Sequence, residues 1–137
     1  MSSLRIRIAA SLGVTAVALG TVVATAPAAS AATYLSSYCG TGYAVVNSAD
    51  VGSLGTVYLT YNASNGQNCV VTVRHASVSG SEICEGITPA GGRESSQCEP
   101  NVSTWGGPVY VRAEGVCVSW WGTINGVKGG KNNTNCG

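Results

Sequence analysis

The chain has 137 residues, with seven basic and six acidic side chains. Because nucleic-acid and anionic-membrane binding depend on a basic excess or a basic stripe, this near-neutral composition argues against both kinds of partner. The length suits one small domain. The absence of phenylalanine leaves its core to valine, leucine, isoleucine, tyrosine and tryptophan.

The first 31 residues have the organisation of a secretory signal peptide. Arg5 and Arg7 precede an apolar stretch from Ile8 to Val23, and Ala29-Ser30-Ala31 supplies the small side chains that a signal peptidase accepts. An apolar run of about 16 residues is shorter than the ~20 that a membrane-spanning helix needs, so we expect no membrane span after cleavage. We predict cleavage after Ala31 and a single secreted β-domain of residues 32–137.

Three strands are predicted in the first half of this domain. Thr56–Tyr61 alternates its apolar side chains and is built from β-branched and aromatic residues, which suit a half-buried sheet. Asn65-Gly66 suits the positive φ of a tight turn, so Asn68–Arg74 is expected to return as the partner of a hairpin. An earlier strand is expected over Tyr43–Asn47.

Two further strands, Pro108–Ala113 and Val116–Trp121, are predicted on either side of a turn at Glu114-Gly115. Residues 77–107 are rich in Gly, Ser, Pro and Glu, and we expect a long irregular loop there. The tail around Gly129-Gly130-Lys131 is expected to be flexible. The pattern predicts an all-β fold: a small disulfide-bonded antiparallel β-sandwich or open barrel of about five to seven strands.

All six cysteines follow the predicted leader, as expected of an exported protein that is stabilised by disulfides. They are Cys39, Cys69, Cys84, Cys98, Cys117 and Cys136. The sequence does not choose among the possible connectivities. From the spacing we favour the sequential set, which joins Cys39 to Cys69, Cys84 to Cys98 and Cys117 to Cys136. No Cys-x-x-Cys pair occurs and there is one histidine, so we expect neither a metal nor a cofactor.

Several short stretches carry a family resemblance. They are Tyr38–Tyr43, Gly52–Asn62, Asn68–Arg74, Gly107–Val111 and Gly115–Val118. Together they resemble the spore-associated protein A family of filamentous actinobacteria. The resemblance implies a small secreted β-protein found with spores or aerial growth, and it supplies no catalytic or ligand-binding residues. Residues 76–104 and the segment Ser119–Gly122 depart from the family pattern.

No arrangement typical of an enzyme is present. His75 is the only histidine and Asp50 the only aspartate, and no Gly-x-Ser-x-Gly motif accompanies them. Four carboxylates fall in the predicted loop, namely Glu82, Glu85, Glu94 and Glu99. Paired carboxylates are what glycoside hydrolysis needs, but we favour the interpretation that these keep a mobile loop soluble. We therefore expect no catalytic activity.

The aromatic residues are the best candidates for ligand binding. Exposed tryptophan and tyrosine rings on a sheet form a platform on which sugar rings stack, and the alternative is that the rings form the core. Trp105, Trp120 and Trp121 are the candidate binding residues. Since Trp120 and Trp121 are adjacent on a predicted strand, they should point to opposite faces of a sheet.

Three classes of function are consistent with these observations. The one we favour is a non-enzymatic secreted protein associated with the spore or cell surface. The second is a module that binds cell-wall or spore-surface polysaccharide through exposed tryptophan and tyrosine. The third is a secreted inhibitor or antimicrobial protein that uses the loop of residues 77–107 as a rigid contact element.

Overall fold

The computed structural model describes residue 35 and residues 37–76, 78–80 and 82–137. The predicted signal peptide, residues 1–31, lies outside the described residues, as does the start of the predicted domain. Within the described ranges, no helix is long and apolar enough to cross a membrane.

Eight strands make up the described part of the chain. They are β1 (Ala44–Val51), β2 (Gly55–Asn62), β3 (Gln67–Arg74), β4 (Glu82–Pro89), β5 (Ser95–Pro100), β6 (Trp105–Arg112), β7 (Val118–Ile124) and β8 (Val127–Thr134). They form two four-stranded antiparallel sheets, here called sheet 1 (order β1-β2-β3-β6) and sheet 2 (order β5-β4-β7-β8). The predicted all-β sandwich is confirmed, with more strands than expected.

The β2–β3 hairpin forms as the sequence predicts. Its strands pair in register from Gly55 opposite Arg74 to Asn62 opposite Gln67. Gly66 adopts a φ of 67° in the turn, a conformation that glycine takes without a steric penalty. The Asn62 carbonyl accepts the Gly66 N–H at 3.0 Å, and the Asn65 side chain accepts the Gln67 N–H at 3.0 Å. Local turn chemistry therefore fixes the register of this hairpin.

The main core lies between the two sheets. It is built from inward-facing residues of both, namely Val51, Val57, Leu59, Val70, Ile83, Ile87, Val109, Ala113, Val118, Trp120 and Ile124. Strand β7 alternates strictly between buried and half-buried positions, which places Trp120 in the core and Trp121 on the outer face. The prediction that these two neighbours point to opposite faces is confirmed.

A smaller cluster covers the outer face of sheet 1. Residues 37–39 are helical, and Cys39 and Leu35 pack with Cys69 and Val71 on that face. The Cys39–Cys69 disulfide joins the helical segment to β3, and the Thr60 hydroxyl donates to the Cys69 carbonyl at 3.0 Å beside it. The segment before β1 therefore shields one side of sheet 1 from solvent.

The preferred disulfide pairing is confirmed at all three bridges. Besides Cys39–Cys69, Cys84 is bonded to Cys98 and Cys117 to Cys136. Cys84 and Cys98 lie directly opposite each other on the antiparallel strands β4 and β5. The third bridge ties the end of the chain to the turn between β6 and β7.

The prediction of an irregular loop over residues 77–107 was wrong. Most of this segment forms β4, β5 and the start of β6. Its glycine and serine content has physical reasons other than flexibility: β5 is an edge strand whose alternate residues are exposed, and Gly86 makes room for a tryptophan ring. The hypothesis of a secreted inhibitor or antimicrobial protein required that loop as its contact element, and the structure shows strands in its place.

The prediction of a flexible tail was also wrong, because residues 127–134 form β8. Glycines suit this strand, since a Cβ at Gly129 would lie 2.1 Å from the Asp50 carbonyl oxygen of β1. Lys131 donates to the Asn47 side chain of β1 at 2.7 Å, and that side chain in turn donates to Asn135 at 3.1 Å. The tail is thus part of the seam that joins the two sheets.

Candidate functional site

The three candidate tryptophans do not come together. Trp120 is 1% exposed, and its indole N–H donates to the Thr134 hydroxyl at 2.9 Å. Since this side chain fills the core between the sheets, it offers no surface to a ligand. Its buried N–H is satisfied within the fold, as a buried tryptophan normally requires.

Trp105 lies at the start of β6, on the outer face of sheet 1. It pairs in register with Val73, a residue of the smaller cluster, and its ring packs on Tyr38 with 4.3 Å between centroids. The interplanar angle of 44° makes this a tilted aromatic contact. Trp105 therefore helps to hold the segment before β1 against sheet 1.

Trp121 lies on the opposite surface of the molecule, the outer face of sheet 2. A Cβ at Gly86 would come within 2.6 Å of its indole, so the ring lies flat over the backbone of β4. The Lys128 ammonium is 4.7 Å from the ring centroid on the other side, and the indole N–H donates to Glu94 at 3.1 Å. Of the three candidates, Trp121 is the one that lies on this face, and its side chain is half-buried.

The Thr88 hydroxyl donates to the same Glu94 carboxylate at 3.5 Å. We call the group formed by Thr88, Glu94, Trp121 and Lys128 the Trp121 face. Its polar groups surround a flat aromatic ring, which is the combination that binds sugars: an apolar face for the ring and donors or acceptors for the hydroxyls. A sugar can stack on this ring only if Lys128 moves away from it. The cation–π contact between Lys128 and Trp121 that would be lost is worth about 0.5–1 kcal/mol. That cost is small enough for a glycan to displace the lysine.

A second unusual group is a pair of carboxyls at the junction of the two sheets. Glu85 on β4 points into the core with no exposed surface, while Glu99 on β5 is half-buried. A Cβ at Gly106 of β6 would lie 2.7 Å from an oxygen of each carboxyl, so the two groups face each other across this glycine. Glu99 accepts hydrogen bonds from the Gln97 amide at 2.6 Å and from the Gly107 N–H at 3.2 Å.

Burial, followed by the charge of Glu99, raises the pKa of Glu85 from 4.5 to about 9. Glu85 is therefore protonated at neutral pH, and protonation gives it a hydrogen that it can donate to the adjacent Glu99. A glycosidase acid must reach its substrate, whereas Glu85 is closed off from solvent. The earlier interpretation that these carboxylates keep a loop soluble was wrong for Glu85, because it is a core residue.

Sequence reasoning did not identify Lys128 and Glu94 as neighbours of Trp121. Lys128 falls in the segment interpreted as a flexible tail, and Glu94 in the segment interpreted as a loop. The signal that was available is the alternation of β7, which predicted that either Trp120 or Trp121 lies on an outer face. The sequence does not show the order of strands in sheet 2. That order places β7, which carries Trp121, between β4 and β8.

The chain is similar to one named protein over most of its length. It is 41% identical over 135 residues to Spore-associated protein A of Streptomyces coelicolor, and the match covers 92% of this chain and 88% of that protein. No protein-family model matches the chain, and no solved structure matches it. A similarity of this extent includes most of both sheets.

Proposed function

Because the chain belongs to the spore-associated protein A family, we propose that it is a non-enzymatic secreted protein held at the surface of spores or of the cell. The observation that carries this proposal is the 41% identity over 92% of the chain to a protein named for its association with spores. The three disulfides support export, because such bonds persist in oxidising surroundings outside the cell.

Fractionation of a sporulating culture tests this proposal. Mass spectrometry of the medium, the mycelial lysate and extensively washed spores should find the protein on the spores, with its N-terminus at Ala32 and its cysteines oxidised. Reduced protein that keeps residues 1–31 and stays in the lysate would contradict export. Oxidised protein found in the medium alone would contradict retention at the spore surface.

A second candidate function is supported by the Trp121 face. The flat, half-buried ring of Trp121 and its polar neighbours would suit a cell-wall or spore-surface polysaccharide. In this mode one face of the sugar ring stacks on the indole after Lys128 moves away, and Glu94 and Thr88 accept or donate hydrogen bonds to hydroxyls. Retention on spores would then follow from glycan binding.

Co-sedimentation with insoluble peptidoglycan, chitin and cellulose tests the second candidate. The Trp121→Ala variant should lose most of the binding, since stacking on one aromatic ring is the main contact. Tyr110→Ala is a matched control, because Tyr110 is a 37%-exposed aromatic residue of sheet 1. Binding that Trp121→Ala leaves intact would exclude this face as the site.

A further inference from the structure

A cavity of about 350 Å³ opens at one end of the sandwich. It lies where the ends of β1, β2 and β3 meet the β6–β7 turn and the end of the chain. Its lining includes Val46, Tyr61, Asn68, Ala113, Glu114 and Gly115. The volume falls in the range of sites for small ligands, which combine apolar walls with a few polar groups that set orientation.

Asn68 is the unusual residue of this cavity. The residue is 3% exposed, yet its side-chain amide has no hydrogen-bond partner among the residues that the structure describes. The amide lines the cavity, so its N–H₂ donor and its carbonyl acceptor are open to a ligand that enters there. The Tyr61 hydroxyl, on the neighbouring strand, likewise has no partner in the described part of the chain.

Asn135 and Gly137, near the end of the chain, form another part of the cavity wall and are held in place by the contacts around them. Cys136 is bonded to Cys117, and Gly137 lies against Gly115. The side-chain amide oxygen of Asn135 accepts a hydrogen bond from the Asn47 side chain at 3.1 Å. The cavity is therefore formed before any ligand arrives, which lowers the entropy cost of binding.

We propose that this cavity binds a neutral N-acetylated hexosamine, presented at the end of a glycan. The acetamido group of such a sugar carries a carbonyl and an N–H that point in opposite directions, because the amide is trans. The carbonyl accepts a hydrogen bond from the Asn68 amide, and the N–H donates to the Tyr61 hydroxyl oxygen on the neighbouring strand. Its methyl group fits between the apolar side chains of Val46 and Ala113. The Glu114 carboxylate at the cavity accepts hydrogen bonds from sugar hydroxyls and disfavours an anionic ligand by charge repulsion.

The contact with Asn68 makes the acetamido group the determinant of specificity. A site built to hydrogen-bond a substrate group discriminates strongly against an analogue that lacks it, because its own polar atoms are then left unpaired. A glucose chain of equal length offers hydroxyls but no acetamido group. The proposal does not depend on spore association, since soluble sugars and purified protein are enough to test it.

The test is a titration of the oxidised, ¹⁵N-labelled protein with triacetylchitotriose, followed by amide NMR. The side-chain N–H₂ signal of Asn68 and the backbone signal of Gly115 should shift, and cellotriose should bind at least about tenfold more weakly. Asn68→Leu should lose about tenfold or more in affinity, and Tyr61→Phe a smaller factor. Ser48→Ala, an exposed position on the outer face of β1, should bind as the unchanged protein does.

Three results would overturn the proposal: no saturable shifts with triacetylchitotriose, equal affinity for cellotriose, or shifts at Trp121 and Lys128 in place of Asn68 and Gly115. The last result would move glycan binding to the Trp121 face. Should Asn68→Leu fail to give a folded spectrum, Tyr61→Phe and the comparison of the two sugars still decide the outcome. Removing one hydroxyl or changing the sugar does not perturb the core.

Discussion

The indole ring of Trp121 lies so close to the backbone of Gly86 that there is no room for a side chain at position 86. Since a Cβ at Gly86 would lie 2.6 Å from the indole ring, Gly86→Ala must displace Trp121 from the outer face of sheet 2. We expect a destabilisation of about 1–3 kcal/mol, the usual cost of inserting a methyl group where there is no space. Denaturant unfolding measures the change, and the fluorescence of Trp121 should report a more exposed ring.

A double-mutant cycle isolates this contact. In a Trp121→Ala background the added methyl at Gly86 has space, so the same substitution should cost much less, and the two changes should be strongly non-additive. Additive effects would show that the loss comes from the strand backbone and that the ring is not displaced.

The buried carboxyl of Glu85 makes stability depend on pH. Its pKa is raised from 4.5 to about 9, so the folded state binds a proton that the unfolded state releases in this range. The free energy of unfolding should therefore fall as pH rises from about 4.5 to about 9, by about 1.4 kcal/mol per pH unit at most. Glu85→Gln should remove this slope and raise stability at pH 8, which chemical denaturation at a series of pH values measures.

The charged groups near Glu85 determine which control variant the pH experiment needs. Glu99 faces it from β5, whereas the Arg74 guanidinium of β3 donates to the carbonyls of Gly80, Val102 and Glu82. Glu82→Gln is the matched control, because Glu82 lies on the same strand but is exposed, and it should leave the slope unchanged. A slope that persists in Glu85→Gln would assign the pH dependence to another group.

At the scale of elements, the disulfides stabilise different parts of the fold to different extents. Cys39–Cys69 spans 30 residues and Cys84–Cys98 spans 14. The loop-entropy model gives about 3.7 kcal/mol for the longer loop and about 3 kcal/mol for the shorter one. Loss of Cys39–Cys69 also frees the segment at residues 37–39 from sheet 1, so we expect the larger destabilisation for that pair.

Paired Cys→Ala variants, unfolded in denaturant, measure the two contributions. Hydrogen exchange should show faster exchange on β2 and β3 when Cys39 and Cys69 are replaced, and on β4 and β5 when Cys84 and Cys98 are replaced. A greater loss of stability from the Cys84–Cys98 pair would mean that the segment before β1 contributes little.

The elements that sequence reasoning predicted are those with a strong local signal. Strand β2 has apolar residues at every second position, strand β3 is rich in valine, and an Asn-Gly turn joins them, so local chemistry alone specifies the hairpin. The same alternation predicted that Trp120 and Trp121 point to opposite faces, and the structure puts Trp120 in the core and Trp121 on an outer face. The spacing of the cysteines likewise predicted the three bridges that form.

Strands β5 and β8 could not be predicted this way, because they are edge strands with few apolar residues. Their conformation comes from pairing with β4 and β7, which is a property of the assembled sheet. The glycines of β8 look like a linker in sequence, yet Gly129 is where β8 approaches the backbone of β1. For the same reason the cavity lined by Asn68 has no signal in the sequence, since its walls come from five separate segments.

At the scale of the whole molecule, the two outer faces of the sandwich differ. Residues before β1 cover part of sheet 1 and bury Cys39 and Leu35, whereas strand β7 of sheet 2 carries a half-buried tryptophan on its outer face. One end of the sandwich adds the cavity lined by Tyr61 and Asn68. If the fold retains the protein at a surface, the contact would be made by the Trp121 face or by the cavity. Both of these sites require the sandwich to be intact.

Binding to intact washed spores by the oxidised protein, compared with the same protein after reduction and alkylation, tests the central claim most directly. Loss of three disulfides worth about 3 kcal/mol or more each should unfold a domain of this size. We predict that the oxidised protein sediments with spores in a saturable manner and that the reduced, alkylated protein does not. Equal sedimentation of both forms, or no sedimentation of the oxidised form, would contradict a folded protein held at the spore surface.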